Sequence, residues 1–206
     1  MMKRILIYSL LMLAIGMSAQ EVPTFFPRKF LLEHFTSANC NQCPMGMKYI
    51  VEYLDRQTTP YIWVSHHAVY GTDVYTIQES NNIAKQYSIN NVPTVMINRS
   101  KQQGILILDA KNQLLELEVN CRPMTEASVV ITHSYDNVTR KLDVTVSGEV
   151  ANKEVKKYLL NILIKENGLV SKQADQYTSW KKANWLEYMH TRVVRDFITG
   201  TVGETV

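Results

Sequence analysis

The chain has 206 residues, 46% of them hydrophobic and 20% charged, with a formal net charge of +3. That is enough apolar material for one or two packed cores, and it excludes a disordered chain or a coiled coil. The small charge imbalance gives no electrostatic basis for a nucleic-acid partner.

Met1-Met2-Lys3-Arg4, the apolar run Ile5 to Ile15 and then Met17-Ser18-Ala19 are the charged, apolar and small-residue zones of a secretory signal peptide, with cleavage expected after Ala19. Its removal takes away Lys3 and Arg4 but no acid, so the net charge falls from +3 to +1. The run is shorter than the roughly 20 residues that span a bilayer. No cysteine stands at the cleavage point to carry a lipid, so membrane association is expected to be peripheral. An exported chain meets an oxidising compartment, where Cys40 and Cys43 pair and Cys121 is left odd.

After Pro23 and Pro27, Lys29 to Phe35 predicts a strand, apolar on both faces except for Glu33 and His34, as a central parallel strand is. Cys40-Asn41-Gln42-Cys43 follows, and from Pro44 to Gln57 the apolar residues Met47, Ile50, Val51 and Leu54 recur at helical spacing. Tyr61 to His66 predicts a second strand, Gln78 to Tyr87 a helix, Val92 to Ile97 a strand opened by Pro93, and Ile105 to Leu108 another. Asp109 predicts the N-cap of a helix whose Leu114, Leu117 and Cys121 share a face. Beyond Pro123 the pattern becomes β-rich: Ala127 to Tyr135, Arg140 to Val150, Val155 to Lys165 and Tyr188 to Ile198 predict strands, and Leu169 to Lys182 a polar loop. Four strands are few for a sandwich of seven or more, so this second unit reads as incomplete. The divisions are 1–19 signal peptide, 20–122 α/β unit and 123–206 a smaller all-β, sandwich-like unit.

The chemistry lies in the cysteine pair. Thiolate is the attacking species, and a free thiol of pKa about 8.5 supplies little of it near neutrality. A helix N-terminus favours an adjacent anion by about 0.3–2 kcal/mol, enough to ionise roughly half of a thiol placed there. Cys40, the N-terminal and more exposed sulfur, is the expected nucleophile, and Cys43 the resolving thiol. Against this stands a structural disulfide, although a loop this short contributes little chain entropy. Zinc ligation by the cysteines with His66 or His67 is weaker still, because the local spacing of zinc sites is missing and an oxidised pair cannot ligate. No cofactor and no metal is expected. Trp180 and Trp185 with Tyr177 and Tyr188 are ordinary core or edge aromatics before they are a binding surface.

Strand, Cys-Asn-Gln-Cys, helix, strand, helix, Val92-Pro93-Thr94, strand, turn, strand and helix together resemble the thioredoxin fold. The resemblance implies an α/β thioredoxin-like domain followed by the all-β, sandwich-like one. It also implies a cis Pro93 facing the cysteines and shaping a groove for a substrate chain. Phe30 to Thr36, Cys40 to Pro44, Asn91 to Thr94, Tyr188-Met189-His190, Val193-Val194-Arg195 and Thr199-Gly200 resemble more narrowly the Bacteroidetes 28-kilodalton outer-membrane-protein-related family. That family implies an exported, envelope-associated protein, in the periplasm or at the outer membrane, whose members continue beyond the position of Val206. Thioredoxins usually place a buried acid near the position of His34; here the acid is the neighbouring Glu33, so Glu33 or His34 is the expected acid–base group. The expected function is thiol–disulfide exchange with protein thiols or disulfides of the envelope, and the alternative is a non-catalytic binding protein with a structural disulfide.

Overall fold

The computed structural model describes residues 25–99, 105–106, 123–151, 158–175 and 184–206. The expected signal peptide, the helix from Asp109, Cys121 and Trp180 lie outside the described residues. In chain order the elements are β1 (Phe26–Pro27), β2 (Phe30–Thr36), α1 (Cys43–Leu54), β3 (Tyr61–His67), α2 (Gln78–Gln86), β4 (Thr94–Ile97), β5 (Ile105–Leu106), β6 (Met124–Thr125), β7 (Ala127–Asp136), β8 (Lys141–Val150), β9 (Leu159–Leu160), β10 (Leu163–Glu166), β11 (Leu169–Ala174), β12 (Asn184–His190), β13 (Val193–Phe197) and β14 (Glu204–Thr205).

A six-stranded sheet, in the order β10-β13-β3-β2-β4-β5, organises the molecule. The central strand β2 runs parallel to β3 and antiparallel to β4, and six of its seven residues are buried. Strands covered on both faces need such near-continuous apolarity. One face of the sheet packs Phe30, Leu32, Trp63, Val95 and Ile97 against Ile50, Tyr53 and Leu54 of α1. A second cluster gathers Phe35, Val64, Met96, Val194 and Phe197 with Ile83 and Ala84 of α2 and with both cysteines. Helix α1 turns its Gly46, Ile50, Tyr53 and Leu54 stripe inward, leaving Val51 exposed, so its buried face is rotated from the one read off Met47, Ile50, Val51 and Leu54.

The expected architecture, an α/β thioredoxin-like domain followed by a smaller all-β sandwich, is corrected by the structure. Strand predominates, helix is confined among the described residues to two short elements, and the sheets are mixed. Among the described residues the distal strands do not stack on one another as a sandwich. β13 instead pairs in parallel with β3 through Val193 and Ser65, and β10 pairs antiparallel with β13, so two of the distal strands extend the six-stranded sheet. Two-residue periodicity marks a strand but not its partner, and the apolar Val193-Val194 found cover beside β3. Leu169–Ala174, expected as loop, is β11, bonded to β12 in a two-stranded sheet. The β7–β8 hairpin is a separate two-stranded sheet with Val129, Ile131 and Tyr135 exposed. No helix among the described residues is long and apolar enough to cross a membrane.

Candidate functional site

The cysteines lie where β2 hands the chain to α1. Cys43 is the first residue of α1, Pro44 follows in the first turn, and the Gln42 cap makes no side-chain bond to the free N–H groups. Pro44 fits because backbone N–H groups there lack helical acceptors in any case. Cys40 N–H donates to Ser37 O at 3.1 Å and Cys43 N–H to Cys40 O at 3.4 Å, closing the loop, and Cys40 and Cys43 are joined by a disulfide. The more exposed Cys40 expected from the sequence is not found: the two residues are 3% and 2% exposed. Cys40 Sγ lies 3.9 Å from Val92 O, and the Val92–Pro93 bond is cis.

Three residues distant in the chain, Asp73, Gln173 and Ala174, fix this loop. Asp73, from the connection after β3, accepts Ala38 N–H at 2.6 Å, Ser37 Oγ–H at 3.1 Å and His67 Nδ1 at 2.7 Å on its Oδ2. Its Oδ1 accepts Tyr75 N–H at 2.8 Å. Burial pushes the Asp73 carboxyl upward, but the His67 bond and charge together with the Ala38 and Tyr75 N–H groups outweigh it and hold the group far below the usual carboxylate range. From the other side β11 straps the loop: Gln173 Nε2 donates to Cys40 O at 3.0 Å and Ser37 O at 3.2 Å, and Ala174 N–H donates to Ala38 O at 2.8 Å. A small cavity remains beside the disulfide, lined by Thr36, Cys43, Ser65, His67, Gln173 and His190 among others.

Glu33 and His34 point to different surroundings. Glu33 is fully buried and accepts from Arg99 Nε at 3.0 and 3.1 Å, Arg99 Nη2 at 2.9 Å and His66 Nε2 at 3.2 Å. Burial alone raises a carboxyl, yet the bonds and charges of His66 and Arg99 leave Glu33 below its ordinary value and therefore ionised. His66 Nδ1 in turn meets Ser80 Oγ at 3.1 Å. His34, equally buried, has no hydrogen-bond partner for either ring nitrogen among the described residues, and burial first, with the charges of His67 and His66, lowers it to about 3. It is neutral at physiological pH and packs edge-on to Trp63.

The sequence reading missed Arg99, Asp73 and Gln173. Arg99 was legible in principle, since β4 pairs with β2 and a cation just past its end falls near the buried acid. Asn98 and Arg99 both take left-handed φ, 54° and 46°, and Asn98 anchors the turn by accepting Leu31 N–H at 2.9 Å and donating its own N–H to Leu31 O at 2.8 Å. His66 and His67, weighed in the sequence as zinc ligands, are both buried. No group of three or more His, Cys, Asp or Glu residues among the described residues is placed to hold a metal ion.

No family model matches the chain, and no curated protein matches it in sequence. Two solved structures are similar. HBP35 of Porphyromonas gingivalis superposes with a TM-score of 0.67 at 17% identity, over 87% of this chain and 60% of that one. The fold is therefore shared with a protein of a Bacteroidetes organism, and this chain spans about 60% of its length. A protein of Agrobacterium tumefaciens matches at a TM-score of 0.48 and 13% identity, over 85% of this chain and 74% of that one, too loosely to carry an argument.

Proposed function

We propose that the chain is an exported envelope protein that exchanges thiols and disulfides with protein substrates through Cys40 and Cys43. The observation that carries this reading is the Cys40–Cys43 disulfide at the N-terminus of α1, with the Cys40 sulfur beside the Val92 carbonyl. A dithiol there gains thiolate from the free N–H groups of the helix, and the two sulfurs are close enough to close on each other after one has reacted. Cys40 attacks a substrate disulfide, Cys43 resolves the mixed disulfide, and the backbone before Pro93 lines the approach. Export and peripheral association with the outer membrane belong to the same proposal and rest on the sequence of residues 1–19 and on the family resemblance.

Replacing Cys43 by Ser tests it. The variant should accumulate mixed disulfides through Cys40 in the cell envelope, and the unmodified chain should reduce insulin in the presence of a dithiol. Absence of both refutes the proposal.

One observation favours a second reading. Both cysteines are almost wholly covered, and Gln173 and Ala174 bond across the loop that carries them. A pair so strapped is also what a structural disulfide in a non-catalytic binding protein requires, and in that case Cys40→Ser changes stability and leaves function intact.

A further inference from the structure

Closing a dithiol needs a group to take the proton of the resolving thiol, because only the thiolate attacks. Glu33 is committed to Arg99 and His66, and His34 is enclosed with no hydrogen-bonding neighbour among the described residues to pass a proton on. A third group lines the cavity that Cys43 lines. His67 ends β3 opposite Thr36, the last residue of β2 before the cysteine loop. Its Nδ1 lies 2.7 Å from Asp73 Oδ2. An ionised carboxylate can only accept, so Nδ1 carries the hydrogen and the lone pair of the neutral ring sits on Nε2. Asp73 holds the Ala38 N–H and the Ser37 hydroxyl with the same oxygen, which ties the tautomer of His67 to the position of the cysteine loop. Thiol, imidazole and orienting carboxylate are the parts of an activated nucleophile.

We propose that His67, positioned by Asp73, is the acid–base group for Cys43. The proposal rests on the thiol–disulfide reading above. Starting from the reduced pair, Cys40 thiolate attacks a substrate disulfide and releases one substrate thiolate. His67 Nε2 then takes the Cys43 proton, and Cys43 thiolate attacks Cys40 Sγ. The Cys40–Cys43 bond forms as the bond from Cys40 to substrate breaks, and the second substrate thiolate leaves with the proton from His67. Two electrons pass from the cysteine pair to the substrate disulfide, and a dithiol reductant restores the pair.

The test uses the reduced full chain mixed with oxidised glutathione and quenched in acid, with mass spectrometry separating the reduced, mixed-disulfide and closed forms. Capture by Cys40 and closure by Cys43 are then read as two rates in one experiment. His67→Gln should slow closure by about 10²-fold, the lower end of what general acid–base catalysis supplies, and leave capture within about twofold of the unmodified chain. Asp73→Asn, which keeps the imidazole but frees its tautomer, should slow closure about tenfold by the same reasoning. Added imidazole should restore closure in His67→Ala, which a packing defect does not permit. Should the variants fail to fold, the unmodified chain alone decides: closure should slow in deuterium oxide and capture should not, because closure alone moves a proton between side chains in its rate-setting step. The groups that face His67 are Asp73 before α2, His190 of β12 with its ring 5.2 Å away, Tyr75 at 5.1 Å with Arg195 beyond it, and His34 of β2. Exchange with closure unchanged in His67→Gln, or closure as fast in deuterium oxide as in water, overturns the inference only. A chain that forms no mixed disulfide overturns the thiol–disulfide reading and this inference with it.

Discussion

Arg99→Ala should be among the most damaging single changes in the molecule. It removes three hydrogen-bonding contacts of 2.9 to 3.1 Å from a carboxylate that is fully buried, and leaves Glu33 with the His66 bond alone among the described residues. Breaking a buried ion pair from one side costs about 3–5 kcal/mol, because the remaining charge stays out of water. The side chain of Arg99 is 18% exposed, so part of its charge is already solvated, and the expected loss lies near the lower end, about 3 kcal/mol. The pH dependence identifies the cause. In the unmodified chain the Glu33 carboxyl is depressed, so its contribution is present above its unfolded value of about 4.3 and is lost as the pH falls through the folded one. In the variant, burial is opposed only by His66 and the folded value rises, so the native state takes up a proton and the difference between the two chains narrows as the pH approaches 4. Urea denaturation at pH 7 and pH 4.5 measures both. A loss below about 1 kcal/mol at pH 7, or a loss that does not shrink on acidification, refutes the account of Glu33 as a paired, ionised group. Glu33→Gln together with Arg99→Ala should recover part of the loss, since it removes the uncompensated charge.

Other expectations follow from the same contacts. His34 is held neutral to about 3, while an unfolded histidine titrates near 6.5, so the unfolded chain binds the extra proton between these values. Stability should therefore fall as the pH drops below about 6.5, and His34→Met should flatten that slope and be neutral or stabilising by about 1 kcal/mol at pH 7, where an unpartnered polar ring is lost; an unchanged slope in denaturation against pH counts against it. Leu32→Ala, at a fully buried position under α1, should cost about 2–5 kcal/mol in urea unfolding, and a loss under 1 kcal/mol would mean that the face is not packed. Gln173→Ala removes the two side-chain bonds across the cysteine loop, each with a net value of about 0.5–1.5 kcal/mol, so reduction of the disulfide by dithiothreitol should speed up by about tenfold; an unchanged rate would mean that β11 does not restrain the loop.

What the sequence made legible was local. Phe30 to Thr36, Tyr61 to His67, Gln78 to Gln86 and Thr94 to Ile97 show themselves by apolar runs or helical spacing, and they fall within a residue or two of where those patterns place them. The cysteine pair was recognisable for the same reason, since its spacing and its place before a helix are neighbouring facts. What could not be read was pairing over distance. Nothing in Val193-Val194 states that it lies beside Ser65, and nothing in Gln173 that it reaches Cys40 from more than a hundred residues away. A carboxylate in an apolar strand is costly without a partner, and the partner of Glu33, Arg99, is supplied by a turn with two left-handed residues. The architecture was misjudged at the same point. Alternation in the distal segments predicted strands, and the inference that they would stack on each other overlooked the open edge of β3.

The central claim is that Cys40 and Cys43 interconvert between dithiol and disulfide as a working pair, and its most direct test is their reduction potential, measured by equilibrating the chain with defined ratios of reduced and oxidised glutathione. The account predicts a value within the range of exchange-active pairs, about −270 to −120 mV, and a value below about −300 mV would contradict it by marking the bond as a structural disulfide.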